Sequence, residues 1–492
     1  MKNCSTVNVR DFGALGDGIH DDAPSIQKAL DSLKESGGIV FMPAGFYRMC
    51  AGVIVPMGVA VSGVTTATTG PWQNYLDTQD KGVQLEFGIS LRGIGEQWID
   101  PRLYKGTWVL SDHGYGEANG APTFRMMGNT SVSKIGFVNR YLPPVTDEFV
   151  ACPPNIAHIS TNDYPYTREG VTVEDISLAN CYCGIMISAG NELENNYHEL
   201  NSPMDLSKSC GRHRIHNIMG GPLYRGIVLK SLLDTVDVTN CQFNYSCYIS
   251  AYCEIRTTKC VDIFMSRGDG MSISNCLSYG AYHGLRTEPS FKNNMGTCSM
   301  RLSNCNFEGI SPMALYSGGM YEITNCYFLG CHPCGYMPES TSVCLQIKQP
   351  EHCIHIPFIA INNCVFQNGS GANGISLDVR LTCGSNPMIS DSQFWGWGEG
   401  EPVVQLNKSH KNAGSLTLSN CVFTGTGGID VLPSNMPGTL ARAEGPGYHE
   451  GDLRFVGCRF PEPLLNEISQ KGIWYDQCVT FDDEGQNHRI QI

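Results

Sequence analysis

Short apolar runs recur along the chain between polar corners, and within each run the apolar positions alternate with a period of two. That period belongs to strands, not helices. The runs Gly184-Ile185-Met186-Ile187, Gly226-Ile227-Val228-Leu229, Gly284-Leu285-Arg286-Thr287, Met313-Ala314-Leu315-Tyr316, Gly374-Ile375-Ser376-Leu377-Asp378-Val379-Arg380 and Gly428-Ile429-Asp430-Val431 each predict one strand. A second pattern is interleaved with them: Asn240-Cys241-Gln242-Phe243, Asn304-Cys305-Asn306-Phe307, Asn325-Cys326-Tyr327-Phe328, Asn363-Cys364-Val365-Phe366 and Asn420-Cys421-Val422-Phe423. Asn180-Cys181, Asn275-Cys276 and Gly457-Cys458-Arg459-Phe460 are partial copies, Asp391-Ser392-Gln393-Phe394 fills one further place, and His216-Asn217-Ile218 is a candidate for a missing one. A supersecondary unit repeated every few tens of residues cannot bury its apolar face alone and must stack on its neighbours, which is the signature of a solenoid. Stacking places Cys on Cys and Phe on Phe, with Asn at a corner whose backbone is left-handed.

The first 50 residues differ. Asp21-Asp22 followed by Ala23-Pro24 is a helix start, and Ile26, Ala29, Leu30 and Leu33 follow helical spacing, predicting an amphipathic helix over 24–35. Gly37-Gly38 ends it, and Ile39-Val40-Phe41-Met42 reads as a buried strand. Asp17, Asp21 and Asp22 read as turn and capping residues. The run Val9-Arg10-Asp11-Phe12-Gly13-Ala14-Leu15-Gly16-Asp17-Gly18, followed by the helix and Gly37-Gly38-Ile39-Val40-Phe41-Met42-Pro43-Ala44-Gly45-Phe46-Tyr47, resembles the opening of the pectate-lyase-like superfamily. That superfamily includes polygalacturonases and other glycoside hydrolases as well as phage tailspike depolymerases. The resemblance implies an all-β fold, a right-handed parallel β-helix with an N-terminal capping helix. It also implies a glycan lying in a groove along one parallel sheet.

Length and composition then fit one architecture. At about 150 residues per domain, 492 residues suggest three domains. The repeat instead predicts a single β-helix domain over 1–492, with a cap over 1–50, coils to about 460 and a terminal cap or tail over 461–492. Glycine is abundant at 55 residues and charged residues are only 16%, as a chain of many corners and uncharged stacks requires. The formal charge of −14 excludes a nucleic-acid partner and weighs against a polyuronate. No run is long and apolar enough for a membrane span. At least eight of the 23 cysteines occupy the one stacking position, so the thiols are expected to be free and largely buried. Cys331-His332-Pro333-Cys334 has no second ligand pair at metal spacing, so neither metal nor cofactor is expected. The N-terminus lacks an apolar leader, which together with the thiols predicts a cytoplasmic protein.

Strand alternation selects the candidate chemistry. With the aliphatic residues inward, Lys230, Tyr252, Glu254, Arg286, Glu288, Tyr316, Asp378 and Arg380 face outward, between insertions at 190–211, 287–297, 331–356 and 433–450 expected to wall the groove. Glycoside cleavage uses two carboxylates. The expected function is therefore a glycoside hydrolase, or an intramolecular glycosyl transferase, drawing its pair from Glu254, Asp269, Glu288 and Asp378. Lys230, Tyr252, His283, Arg286, Tyr316, Arg380, Trp395 and Trp397 would bind an oligosaccharide or polysaccharide. Tyr282-His283-Gly284 partly matches the Gly-His-Gly run of polygalacturonases, whose Asn-Thr-Asp and Gly-Asp-Asp runs have no counterpart here. The alternatives are a polysaccharide lyase with an Arg or Lys base acting on a uronate glycan, and a tailspike-like glycan-binding or depolymerising protein. A homotrimer is a further expectation, since fructan-processing relatives and tailspikes form one.

Overall fold

The computed structural model describes residues 5–68, 104–139, 150–160, 170–179, 181–189, 210–244, 253–288, 298–316, 318–331, 342–349, 357–368, 374–396, 401–424, 439–461, 472–481 and 487–489. They fall into two compact units, Met1–Phe264 and Met265–Ile492. Both are built from parallel strands in register from coil to coil, and the fold is a parallel β-helix, as the sequence predicts.

In the first unit the capping helix spans Ala23–Ser32 and buries Ala23, Ile26, Ala29 and Leu30. Asp22 precedes it but does not cap it. Its buried carboxylate accepts hydrogen bonds from the Leu15 and Gly16 amides at 2.7 and 3.2 Å, tying the preceding turn to the helix start. Asp17 accepts from the His20 and Ile19 amides, which hold its carboxyl down at about 2. Beyond the cap, Val53, Phe124, Ile156, Ile185 and Ile227 stack as one inward ladder on successive parallel strands. Asn217 takes a φ of +53° and donates to Asp175 at 2.7 Å, confirming His216-Asn217-Ile218 as a coil corner.

In the second unit the inward ladder reads Leu285, Met313, Leu345, Leu377, Val404 and Ala441. Phe307, Phe328, Phe366, Phe394, Phe423 and Phe460 form the aromatic column, with successive centroids 4.6 to 6.3 Å apart. Offset stacks at this spacing add about 0.5–1.5 kcal/mol each beyond area burial. The corners are as predicted: Asn275, Asn304, Asn325, Asn363, Asp391 and Asn420 all lie at φ between 52° and 55°, or 56° for Asn325. Each following cysteine turns its thiol back onto a carbonyl two residues earlier, as Cys326 does to Thr324 at 3.2 Å and Cys364 to Asn362 at 3.3 Å. All cysteines with described side chains are free thiols. Burial pushes the Cys344 thiol up to about 12, so it stays protonated.

Two of the expected insertions are shorter than the sequence suggests. Within 331–356, Ser342–Lys348 is a full strand of the sheet, and within 433–450 so is Thr439–Glu444. The Ser-Val-Cys-Leu-Gln-Ile-Lys run lacks the leading glycine of most other copies and sits in a stretch that reads as an insertion, which hid its alternation. Most of the remaining insertion sequence lies outside the described residues. No described helix is long and apolar enough to cross a membrane.

Candidate active site

Four consecutive strands of the second unit, His283–Glu288, Met313–Leu315, Ser342–Lys348 and Gly374–Leu381, form the sheet that carries the chemistry. Their inward positions are buried and, apart from His283 and Thr287, apolar, so two outward columns follow from the pleat. One runs Arg286, Ala314, Gln346, Asp378. The other continues one residue past the last paired positions of the first strands as Glu288 and Tyr316, then Lys348 and Arg380.

Outward does not here mean exposed. Glu288 is 6% and Asp378 3% accessible, while Arg286, Tyr316 and Lys348 are half-buried. Each carboxylate is engaged by the arginine two residues away on its own strand. Arg286 Nε donates to Glu288 at 2.6 Å and a second guanidinium nitrogen reaches the same oxygen. Arg380 lies 3.2 Å from the Asp378 carboxylate. Residues i and i+2 share a face of a strand, which is why these pairs form without help from a neighbouring coil.

Tyr316 is the centre of the arrangement. The Arg286 guanidinium carbon is 4.9 Å and the Lys348 ammonium 5.0 Å from its ring centroid. Its phenol donates to the Gln346 side-chain oxygen, and its amide is held by the Thr287 carbonyl at 3.2 Å. Burial pushes the phenol up to about 12, with Arg286 pulling the other way. Burial, reinforced by Arg380, lowers the Lys348 ammonium. A protonated phenol and an amine made easier to deprotonate therefore sit side by side among cations.

The other candidates are placed elsewhere. Glu254 is in a helix, Cys253–Lys259, not on an outward strand position. The segment's apolar-polar alternation misleads there, because Arg256 folds into the interior and pairs with buried Asp262 at 2.7 Å, securing a helical turn before the next strand. Asp269 is on the strand Val261–Ser274, 3.8 Å from Arg267, at a register shift in that strand's pairing with Cys298–Ser303 and outside the columns that carry Tyr316. His283 shares the inward parity of Leu285; it is buried, with a ring nitrogen donating to the Ser311 carbonyl at 2.6 Å and its ring edge toward Tyr316 at 6.3 Å. Lys230 faces outward as expected but is buried, in the first unit beside Ser188. Trp395 belongs to the sheet of the phenylalanine column, where its indole donates to Gln393. Tyr252 and Trp397 lie outside the described residues. Of the predicted set, Arg286, Glu288, Tyr316, Asp378 and Arg380 come together. Gln346 and Lys348 were missed, and the signal that finds them is their register with Asp378 and Arg380 on the hidden strand.

The comparisons agree with this architecture. Residues 6–71 match the family described as "Rhamnogalacturonase A/epimerase, pectate lyase-like". The chain has the pectate-lyase-like fold, a parallel β-helix. Mannuronan C5-epimerase AlgE4 of Azotobacter vinelandii is 39% identical over 93 residues, 18% of this chain and 17% of that protein. Alginate lyase 7 of the same organism is 52% identical over 96 residues, 19% of this chain and 11% of that one. The chain thus matches less than a fifth of the length of these relatives. Among solved structures, PfbA, a surface adhesin of Streptococcus pneumoniae, superposes with a TM-score of 0.50 at 10% identity, covering 99% of this chain and 96% of its own.

Proposed function

We propose that the protein is a carbohydrate-active enzyme that acts on a uronate-containing glycan by removing the proton on the carbon next to the uronate carboxylate. The observation that carries this reading is Tyr316, placed between Arg286 and Lys348 while both nearby carboxylates are engaged by their own arginines. A glycosidase pair needs carboxylates about 5–9.5 Å apart. Glu288 and Asp378 are three rungs apart on the ladder, about 14 Å at ordinary strand spacing, and each points along its own strand toward its arginine. That geometry counts against hydrolysis by this pair, the reaction expected from the sequence.

Proton abstraction next to a carboxylate needs cations to take up the developing enolate charge, a base and an acid. Arg286 and Arg380 supply the first. Lys348, as the free amine, takes the proton, and Tyr316 returns one. Delivered to the leaving glycosidic oxygen as its bond to the ring breaks, that proton completes an elimination; delivered to the opposite face of the same carbon, it completes an epimerisation. The names of the relatives, mannuronan C5-epimerases and an alginate lyase, support both outcomes. The net charge of −14 is not mirrored at the site, where Arg286 and Arg380 offset Glu288 and Asp378 and Lys348 adds a further amine.

The deciding experiment incubates the protein with polymannuronate, polyguluronate, polygalacturonate and neutral glucans, following unsaturated-uronate absorbance and proton NMR of the ring carbons. Absorbance growth identifies elimination, and C5 inversion without cleavage identifies epimerisation. New reducing ends on neutral glucans, with no change in any polyuronate, would overturn the proposal.

A further inference from the structure

In the first unit, three side chains with metal-binding atoms meet inside the β-helix. One ring nitrogen each of His158 and His213 and the Cys210 sulfur lie within 4.8 Å of one another, and all three residues are buried. These are not positions where packing asks for imidazole. The rungs in register with His158 are Met126, Ile187 and, one coil further, Leu229, and the rung paired with His213 is Val236. Two imidazoles therefore stand among aliphatic rungs at neighbouring points of the core, where their ring nitrogens must be hydrogen-bonded or ligated.

The hydrogen bonds assign the protons. His158 Nδ1 is 2.9 Å from the Met126 carbonyl, so Nδ1 carries the hydrogen and the lone pair is on Nε2, the tautomer in which metal-bound histidines are usually held by a backbone carbonyl. His213 is the reverse. Its Nδ1 accepts from the Val171 amide at 3.2 Å, so Nε2 carries the hydrogen and points it at Cys210 Sγ, 3.2 Å away. His213 is therefore a donor to the sulfur and not a ligand in its own right.

From this we infer that His158 Nε2 and Cys210 Sγ form a two-coordinate site for a soft monovalent cation, Cu(I), with His213 Nε2–H hydrogen-bonding the coordinated thiolate. Thiolate favours soft or borderline metals, Cu(I) and Zn(II) among them, and coordination number and charge separate the two. With bonds as long as those of zinc, about 2.3 Å to sulfur and about 2.0 Å to nitrogen, an in-line metal holds the two ligand atoms about 4.3 Å apart, inside the 4.8 Å that bounds the spread of the three residues' ligand atoms. Charge decides against a divalent ion: one thiolate neutralises Cu(I) and leaves a neutral complex in the core, whereas Zn(II) would leave a net positive charge there. Binding is a simple exchange in which the Cys210 S–H bond breaks, the S–Cu bond forms and the proton leaves to solvent, with no change of oxidation state.

The test uses the full-length reduced protein under anaerobic conditions, titrated with Cu(I) in competition with a chromophoric Cu(I) chelator. Because the other thiols also bind copper, the informative quantity is a difference. Wild type should retain one equivalent more than Cys210→Ser and one more than His158→Phe, with thermal unfolding of each variant recorded to confirm folding. X-ray absorption on one-equivalent wild type should show one sulfur and one nitrogen neighbour. Equal retention by wild type and a folded Cys210→Ser, an all-sulfur copper environment, or retention of Zn(II) in preference to Cu(I) under the same competition would each overturn the assignment. Should both variants unfold, the wild-type absorption spectrum decides alone.

Discussion

Two outward sheet faces of this protein share one construction and differ in most of the side chains they carry. In the first unit, the strands Ile156–Ser160, Cys183–Ala189 and Arg225–Leu232 send Ala157, Met186 and Val228 outward, where they join Tyr182, Leu223 and Phe264 in a buried apolar cluster. Tyr182 stacks on Tyr224 at 5.1 Å, and the Arg225 guanidinium covers Tyr224 at 3.8 Å. In the second unit, the equivalent outward positions are Arg286, Glu288, Tyr316, Gln346, Lys348, Asp378 and Arg380. The inward ladders behind both faces are apolar, interrupted in the first unit by His158 and in the second by His283 and Thr287. Outside those interruptions, the outward parity of each strand carries the difference between the faces. An aromatic ring with a guanidinium over it occurs on both faces, so that contact alone does not mark a site. What distinguishes Tyr316 is a second cation and a phenol hydrogen bond beside it.

The largest expected difference between the faces is in turnover. Tyr316→Phe keeps the ring and its cation contacts but removes the proton, so kcat on the active polyuronate should fall about 10²–10⁴-fold while the unfolding midpoint moves little. Met186→Ala on the apolar face should do the opposite. It should cost about 2–5 kcal/mol of stability and leave kcat/KM within a factor of two. A turnover loss in Met186→Ala at a temperature where it remains folded would erase the distinction between the two faces.

A smaller effect follows from the lowered Lys348 ammonium. As pH rises through that depressed value the amine is freed as a base, so kcat should climb on the neutral-to-alkaline side. It should fall again only when Tyr316, pushed up to about 12, loses its proton. Lys348→Arg preserves charge but cannot deprotonate in this range, and should flatten the ascending limb as well as lower its plateau. An unchanged ascending limb in Lys348→Arg would remove Lys348 as the base.

How much of this could be read from the chain depends on which physical rule was at work. The cap, the Asn-Cys-x-Phe corners and the aliphatic ladder were legible because stacking demands the same residue type at every rung, and repetition makes a weak signal strong. Arg286, Glu288, Tyr316, Asp378 and Arg380 were legible through period-two alternation on strands whose start was marked. Lys348 and Gln346 were not, because their strand begins with Ser342 and no glycine punctuates it. Glu254 was misread because six residues of alternation cannot separate a strand from a helix when a buried ion pair, Arg256 with Asp262, decides the matter from outside the segment. The pairing of Glu288 with Arg286, and of Asp378 with Arg380, was implicit in the i, i+2 spacing. Only the rung count made clear how far apart the two carboxylates are.

The corners offer the finest check on the comparison, because they should not differ between the units at all. Asn240 in the first unit and Asn363 in the second hold the same left-handed backbone, at φ of +56° and +52°, and each precedes a cysteine whose thiol turns back onto the carbonyl two residues before it. A Cβ in that conformation costs about 1–2 kcal/mol unless the side chain is Asn or Asp, and glycine escapes the cost. Asn240→Ala and Asn363→Ala should therefore lose about 1–2 kcal/mol each, whereas the glycine variants should stay within about 0.5 kcal/mol of wild type. Asn363→Gly should lose slightly more than Asn240→Gly, since Asn363 also donates to Asn325 at 2.8 Å in the neighbouring coil. Equal alanine penalties measured by denaturant unfolding would establish that one scaffold underlies both faces. A penalty confined to one unit would mean that the scaffold itself, and not only the outward residues, has been adapted to the chemistry.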